Sequence, residues 1–219
     1  MTIQRTHRND GRNGRETLLM DTILVVDDDP AIREIFRAYL GMHGYATLAA
    51  AGGAECLDLL KTQKPDLILL DLMMEPMDGW ETLLAIRHNP AYRDIPVLII
   101  TGKQPAPEEI IQYGGLIEDF ILKPVDFPQV VACLNRIIEK DRDLHREIDR
   151  IRGDNPEQEL LDEYTRLLRF IRGAHTLKKR YRDRQWADRI PLARQEERLL
   201  LLHKKFNMPD SLLERDEGR

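Results

Sequence analysis

The chain has 219 residues, 42% of them apolar and 32% charged, with a formal net charge of −5. That length fits one domain with an appendage, or two small domains, rather than a single large barrel. The composition supports a packed core in a soluble chain, not a disordered or membrane-embedded one. No apolar run reaches the roughly 18 residues of a spanning helix, and the arginines at 5, 8, 12 and 15 do not read as a secretory leader. A cytoplasmic location is therefore expected.

Charge is unevenly spread: residues 1–20 carry +2, residues 21–139 carry −10 and residues 140–219 carry +3. Three parts are expected. Residues 1–20 read as a disordered segment, with Met20 as a candidate functional start. Residues 21–139 read as a domain, and residues 140–219 as an all-helical extension. Cys56 and Cys133 lie in apolar helical patterns, with no Cys or His nearby at metal-ligand spacing, so buried, reduced thiols are expected.

Within 21–139 short apolar runs alternate with amphipathic stretches. Strands are predicted at 22–27, 45–49, 66–71, 95–101 and 117–122, nearly continuous in apolar character as buried parallel strands must be. The clearest helix start is Asp29-Pro30, an N-cap followed by proline at the first helical position. Ile32, Ile35, Phe36, Tyr39 and Leu40 follow on one face, and Gly41 and Gly44 are read as its close. The fourth helix, bracketed by Pro105 and Pro107, should be short. Five β-then-α units argue for an open parallel sheet with helices on both faces.

A further helix starts near Asp126 and Pro128 and is predicted to run past the domain. Val130, Leu134, Ile137, Leu144, Ile148 and Ile151 fall at heptad spacing if Asp141 takes one seam position, which suggests a coiled coil and a homodimer. Gly153-Asp154-Asn155-Pro156 reads as a break. A second helix carries Leu160, Tyr164, Leu167, Leu168, Ile171 and Ala174, a third segment holds Trp186, and a last helix spans 191–206.

Ligands of open α/β sheets sit beyond the carboxyl ends of the strands. There the sequence places Asp27, Asp28 and Asp29, then Asp71, Thr101 and Lys123. Crowded aspartates repel unless a cation intervenes. Oxygen donors without His or Cys suit Mg²⁺, bound by one or two carboxylates plus a phosphate. Lys123 and the Thr101 hydroxyl could bind phosphoryl oxygens, leaving Asp71 as a carboxylate nucleophile. Asp29 reads as a helix cap; Met73 and Met74 read as packing residues.

These residues resemble the response-regulator receiver domains of two-component signalling. The match lies in Ile23-Leu24-Val25-Val26-Asp27-Asp28-Asp29-Pro30, Asp71 with Asp78-Gly79-Trp80-Glu81, Thr101-Gly102, and Phe120-Ile121-Leu122-Lys123-Pro124. It covers about 120 of the 219 residues. The resemblance implies a flavodoxin-like five-stranded sheet of order 2-1-3-4-5, an order that comes with the family as a known example of such sheets. It implies that Asp71 is the phospho-acceptor, served by a histidine kinase, a phosphotransfer protein or a small phosphodonor. Mg²⁺ would be held by Asp28, Asp71 and the backbone carbonyl of Met73, with Asp27 acting through water. Thr101 and Lys123 would bind phosphoryl oxygens and Phe120 would be the aromatic switch. Such a protein is a signalling module rather than an enzyme. One departure stands out: the glycines expected just before the fifth strand, Gly114 and Gly115, come early, and Leu116-Ile117 take their place.

The C-terminal region offers three readings. Arg166, Arg169, Arg172, Lys178, Lys179, Arg180, Arg182 and Arg184 form a basic stretch, which could be a solvated face or one docking on the acidic domain, or could bind nucleic acid. Ala174-His175-Thr176-Leu177-Lys178 resembles a histidine phosphotransfer motif, but Lys179 replaces the small residue expected next. His145 and His203 read as solvated. The favoured function is a phospho-acceptor whose modification alters interactions of the helical tail; a DNA-binding regulator is the alternative.

Overall fold

A computed structural model describes residues 21–152, 158–181 and 192–209, together with Arg189 and Leu213. The expectations for residues 1–20, for the break at 153–156, and for Trp186, Arg182 and Arg184 lie outside the described residues.

The five strands β1 (Thr22–Val26), β2 (Ala46–Ala50), β3 (Leu67–Leu70), β4 (Val97–Thr101) and β5 (Asp119–Leu122) form one parallel sheet in the order β2-β1-β3-β4-β5. The helices α1 (Pro30–Met42), α2 (Gly53–Leu60), α3 (Gly79–His88), α4 (Pro107–Tyr113) and α5 (Phe127–Arg152) alternate with them. Two more, α6 (Gln158–Arg180) and α7 (Ala193–Lys205), follow. The fold class is the one the residue pattern implies. Helix α1 begins on the Asp29 cap, whose side chain accepts from the Ala31 amide, with Pro30 at its first position. It outlasts Gly41 and stops before Gly44, whose φ of +85° is open to glycine at little cost. Pro107 starts α4, which is indeed short.

Alternate strand residues point to opposite faces. Leu24, Val26, Ile68, Leu70, Val97, Ile99 and Phe120 enter one core with α2, α3 and α4. Ile23, Val25, Leu67, Leu69, Leu98, Ile100 and Ile121 enter the other, against Phe36 and Leu40 of α1 and Val130, Leu134 and Ile137 of α5.

The first of these cores does not stop at the sheet. It continues through Leu144 and Ile148 in the far half of α5 into Leu161, Tyr164, Leu168, Ile171, Ala174 and Leu177 of α6, and then into Leu199, Leu202 and Phe206 of α7. The heptad-like seam of α5 is therefore buried within this chain as far as Ile148. Its near half faces the sheet, its far half faces α6, and Asp141 between them pairs with Arg169. The buried face of α6 is rotated slightly from the expected one, with Leu161 rather than Leu160 in the core.

Helix α6 reaches the domain through glycines. A Cβ on Gly173 would lie 2.0 Å from the Ile117 carbonyl oxygen, and one on Gly115 would lie 2.1 Å from the Phe170 ring. One on Gly114 would lie 2.6 Å from Leu177. The early glycines thus make room for a helix of this same chain. They sit in a 3-10 turn (Gly114–Leu116), and β5 consequently begins at Asp119 rather than 117.

Candidate functional site

The carboxyl ends of β1 and β3 are neighbours in the sheet, with Val26 opposite Leu70. Asp27 and Asp71, the next residue of each, therefore emerge side by side. Backbone bonds fix both: the Asp71 amide donates to the Val26 carbonyl at 2.9 Å, and the Asp27 amide to Ala50 at 3.2 Å. The side chains are fixed as well. Asp27 Oδ1 accepts from the Asp29 amide at 3.0 Å, and Asp71 Oδ1 accepts from the Met73 amide at 3.0 Å. Gly79 lets the start of α3 approach, because a Cβ there would stand 2.2 Å from the Asp71 carbonyl oxygen. The Asp78–Glu81 capping box then holds that helix end in place.

Lys123, one residue past β5, reaches across to both acids. Its Nζ donates to Asp27 Oδ2 and to Asp71 Oδ2, each at 2.6 Å. Burial works against the ammonium, but these two carboxylates outweigh it and hold the lysine above its ordinary value. For Asp27 the balance goes the other way: burial pushes its carboxyl up, and the bonds from Lys123 and Asp29 oppose this only in part. Carboxylate oxygens of Asp27, Asp28 and Asp71 all lie within 4.8 Å of one another. Such a set, all oxygen and short of positive charge, fits a hard divalent cation.

Thr101 ends β4 fully buried; its Oγ1 accepts from the Lys103 amide at 3.2 Å, and its carbonyl accepts from the Lys123 amide at 2.8 Å. Nothing approaches the Cβ position of Gly102 within 4 Å, so this side of the site is open. Phe120 is buried on β5. Met73 touches the site through its amide, while its side chain is exposed, contrary to a packing role; Met74 is buried as expected.

Two residues that the site motifs do not mention border this region. Arg180 donates to Asp119 at 2.8 Å and lies over the Phe120 ring, 5.1 Å from its centre. Tyr181 stacks on Phe120 at 5.8 Å between ring centres, tilted by 16°. For Arg180 the sequence signal was the basic stretch, one reading of which docks it on the acidic domain; Tyr181 carried no signal of its own.

The basic face of α6 turns inward at several points. Arg169 pairs with Asp141 and Asp94, and Arg172 lies near Glu118, whose carboxyl is pushed up by burial against the pull of Arg169. His175 is partly buried, with Nε2 2.7 Å from Glu196 of α7. His203 is buried against the Tyr164 hydroxyl at 2.9 Å, not solvated, because α7 packs that side on α6. His145 remains half exposed beside Asp141. Burial raises the thiols of Cys56 to about 12 and Cys133 to about 11. Both are free; Cys133 is only partly buried. Among the described residues no helix is long and apolar enough to cross a membrane.

Residues 23–135 match the model of the response regulator receiver domain. The response regulator MprA of Mycobacterium sp. (strain KMS) is 33% identical over 118 residues, covering 54% of this chain and 50% of that protein. The chain thus spans about half the length of the curated relatives it matches. Among solved structures, a response regulator receiver protein from Pseudomonas putida is 30% identical with a TM-score of 0.51, over 54% of this chain and 98% of that one. The chemotaxis protein CheY4 of Vibrio cholerae is 28% identical with a TM-score of 0.51, again over 54% and 98%. The family match ends inside α5, before α6 begins.

Proposed function

The chain belongs to the response regulator receiver family, and from that premise we propose that Asp71 accepts a phosphoryl group from a histidine kinase or phosphotransfer protein, and that the C-terminal helices register the change. The observation that supports this most is the gathering of Asp27, Asp28 and Asp71 around one lysine that bonds two of them.

In the transfer a carboxylate oxygen of Asp71 attacks the phosphorus of a phosphohistidine. The new P–O bond forms as the P–N bond breaks, and the departing imidazole nitrogen takes up a proton. The Met73 amide orients the acceptor carboxylate, and Lys123 stands ready to exchange an Asp71 oxygen for a phosphoryl oxygen. Thr101 supplies a hydroxyl at the end of the neighbouring strand. Asp27, Asp28 and Asp71, with the Met73 carbonyl, are the residues that would hold Mg²⁺. When bound, the ion screens the repulsion between these carboxylates and an incoming phosphoryl group.

Residues 21–139 are on this reading the receiver and residues 140–219 its output region, in a cytoplasmic protein. Arg169, Arg172 and Arg180 face acids of the same chain, which supports self-docking over a nucleic-acid interface. The Nε2 of His175, directed at Glu196, speaks against a second phosphorylation site there.

The test is acetyl phosphate with Mg²⁺ on the full chain. One hydroxylamine-labile phosphate should appear on the wild type and none on Asp71→Asn; labelling that persists in the variant rules out Asp71 as acceptor. Mass in solution with and without beryllofluoride then tells whether phosphorylation assembles a homodimer.

A further inference from the structure

Two stretches of backbone connect the acceptor site to the rest of the molecule on its far side. One leaves Thr101 and passes through Gln104; the other is β5, which passes through Asp119 and Phe120 before it delivers Lys123. Both are tied to the same point, the C-terminal end of α6. Arg180 donates to Asp119 Oδ1 at 2.8 Å and lies over the Phe120 ring, while the Tyr181 ring stacks on Phe120 from the same helix end. The Tyr181 hydroxyl also accepts from the Gln104 side chain at 3.4 Å. Upstream, Gly173 sits so close to Ile117 that α6 cannot slide without breaking contact.

We propose that Arg180 and Tyr181 are positioning residues for the acceptor site: they hold Phe120 and the segments ending in Thr101 and Lys123 in the arrangement that belongs to unmodified Asp71. This rests on the reading of Asp71 as acceptor and adds how that site is restrained. In the structure Lys123 bonds both Asp27 and Asp71 while Phe120 lies under Tyr181 and Arg180, so the two sets of contacts coexist in one state. A phosphoryl group on Asp71 needs Lys123 and Thr101 for itself. The segments that carry them then shift against Phe120, and the stack with Tyr181 is lost. A ligand that favours one of two states is favoured in return by anything that weakens the other. Loosening the end of α6 therefore makes Asp71 easier to modify, and modifying Asp71 loosens α6.

The experiment uses the full chain and beryllofluoride with fixed Mg²⁺ as the probe for the phosphorylated state. Couplings of this kind span about 5- to 150-fold, and for the double variant Arg180→Ala/Tyr181→Ala we expect half-saturation at about tenfold lower beryllofluoride than for wild type. Tyr181→Phe, which keeps the ring stack, should stay within about threefold of wild type. In the wild type, amide hydrogen exchange in residues 158–181 should speed up when beryllofluoride is added. Should the double variant not fold, Arg180→Gln alone is measured instead, with a shift of about threefold in the same direction. Equal or weaker beryllofluoride binding by the variant, or exchange in α6 that ignores the ligand, overturns the proposal. A wild type that takes up neither beryllofluoride nor phosphate overturns the acceptor assignment itself, which separates the two failures.

Discussion

At the carboxyl ends of β1 and β3, three aspartates lie together and one lysine bonds two of them; along the β5 side, Asp94, Asp119 and Asp141 each meet an arginine of α6. Both regions are acidic, yet only the first is short of positive charge. A crowded, under-compensated cluster is a place for a ligand, since an added cation lowers its energy. A cluster in which every acid already has an arginine from a packed helix is an interface, complete without any ligand. Acidic side chains therefore have two different uses in this chain, and charge counting cannot tell them apart.

The largest effect that would break this contrast is at Arg169. Its side chain is 12% exposed and serves both Asp141 and Asp94. Arg169→Leu leaves carboxylates under α6 without their main partner. Removing one member of a buried pair costs about 3–5 kcal/mol, equivalent to a fall in Tm of roughly 10 °C in a chain of this size. Urea unfolding measures it. A loss below about 1 kcal/mol would class the pair with solvent-exposed ones and remove the distinction between the two clusters.

A sharper form of the contrast lies in the sign of two similar substitutions. Burial opposes ionisation of Asp141, but Arg169 and the bond from His145 outweigh it and hold its carboxyl below the ordinary value. Its charge therefore adds stability above the unfolded value of 3.8, and that stability is lost as pH falls through the lower folded value. Asp27 has its carboxyl pushed up, chiefly by burial, so ionisation costs stability above 3.8. At neutral pH without divalent cations, Asp141→Asn should lower Tm and Asp27→Asn should raise it, each by about 3 °C for ~1 kcal/mol. Asp27→Asn should also weaken Mg²⁺ binding, measurable by titration calorimetry. Two shifts of the same sign would show that the acids at the strand ends are not poised for a cation.

How much of this could be read in the sequence follows the same division. The sheet and its site were legible because their signals are local: apolar strands five or so residues long, a proline after an N-cap, and an acid, hydroxyl or lysine at each strand end. Even Lys123, 52 residues from Asp71, was expected at the site because it follows a strand end. The α6 interface had no such signal. Arg169 meets Asp94 and Asp141 from 75 and 28 residues away, and nothing in a run of arginines says whether it faces water, nucleic acid or its own domain. The displaced Gly114 and Gly115 were visible as a departure, but their reason, the close approach of Phe170 and Leu177, needs the packed helix. The α5 seam misled for a related cause: heptad spacing records that a stripe is buried, not which chain buries it.

The smallest effect expected concerns His145, which sits at the edge of the matched cluster. Its Nδ1 lies 3.1 Å from Asp141, and that bond raises the imidazole above its ordinary 6.5, with burial and the nearby Arg169 opposing. A raised value means the protonated form is favoured in the folded chain. Its stabilisation is complete below pH 6.5 and disappears as pH rises through the folded value. Because the side chain is half exposed, the contribution should stay below about 1 kcal/mol. Proton NMR of the imidazole should find it titrating above 6.5 in the wild type and returning toward 6.5 in Asp141→Asn. A titration unchanged by that substitution would mean that Asp141 is committed wholly to Arg169, making the arginine pairing still tighter than the three-residue arrangement implies.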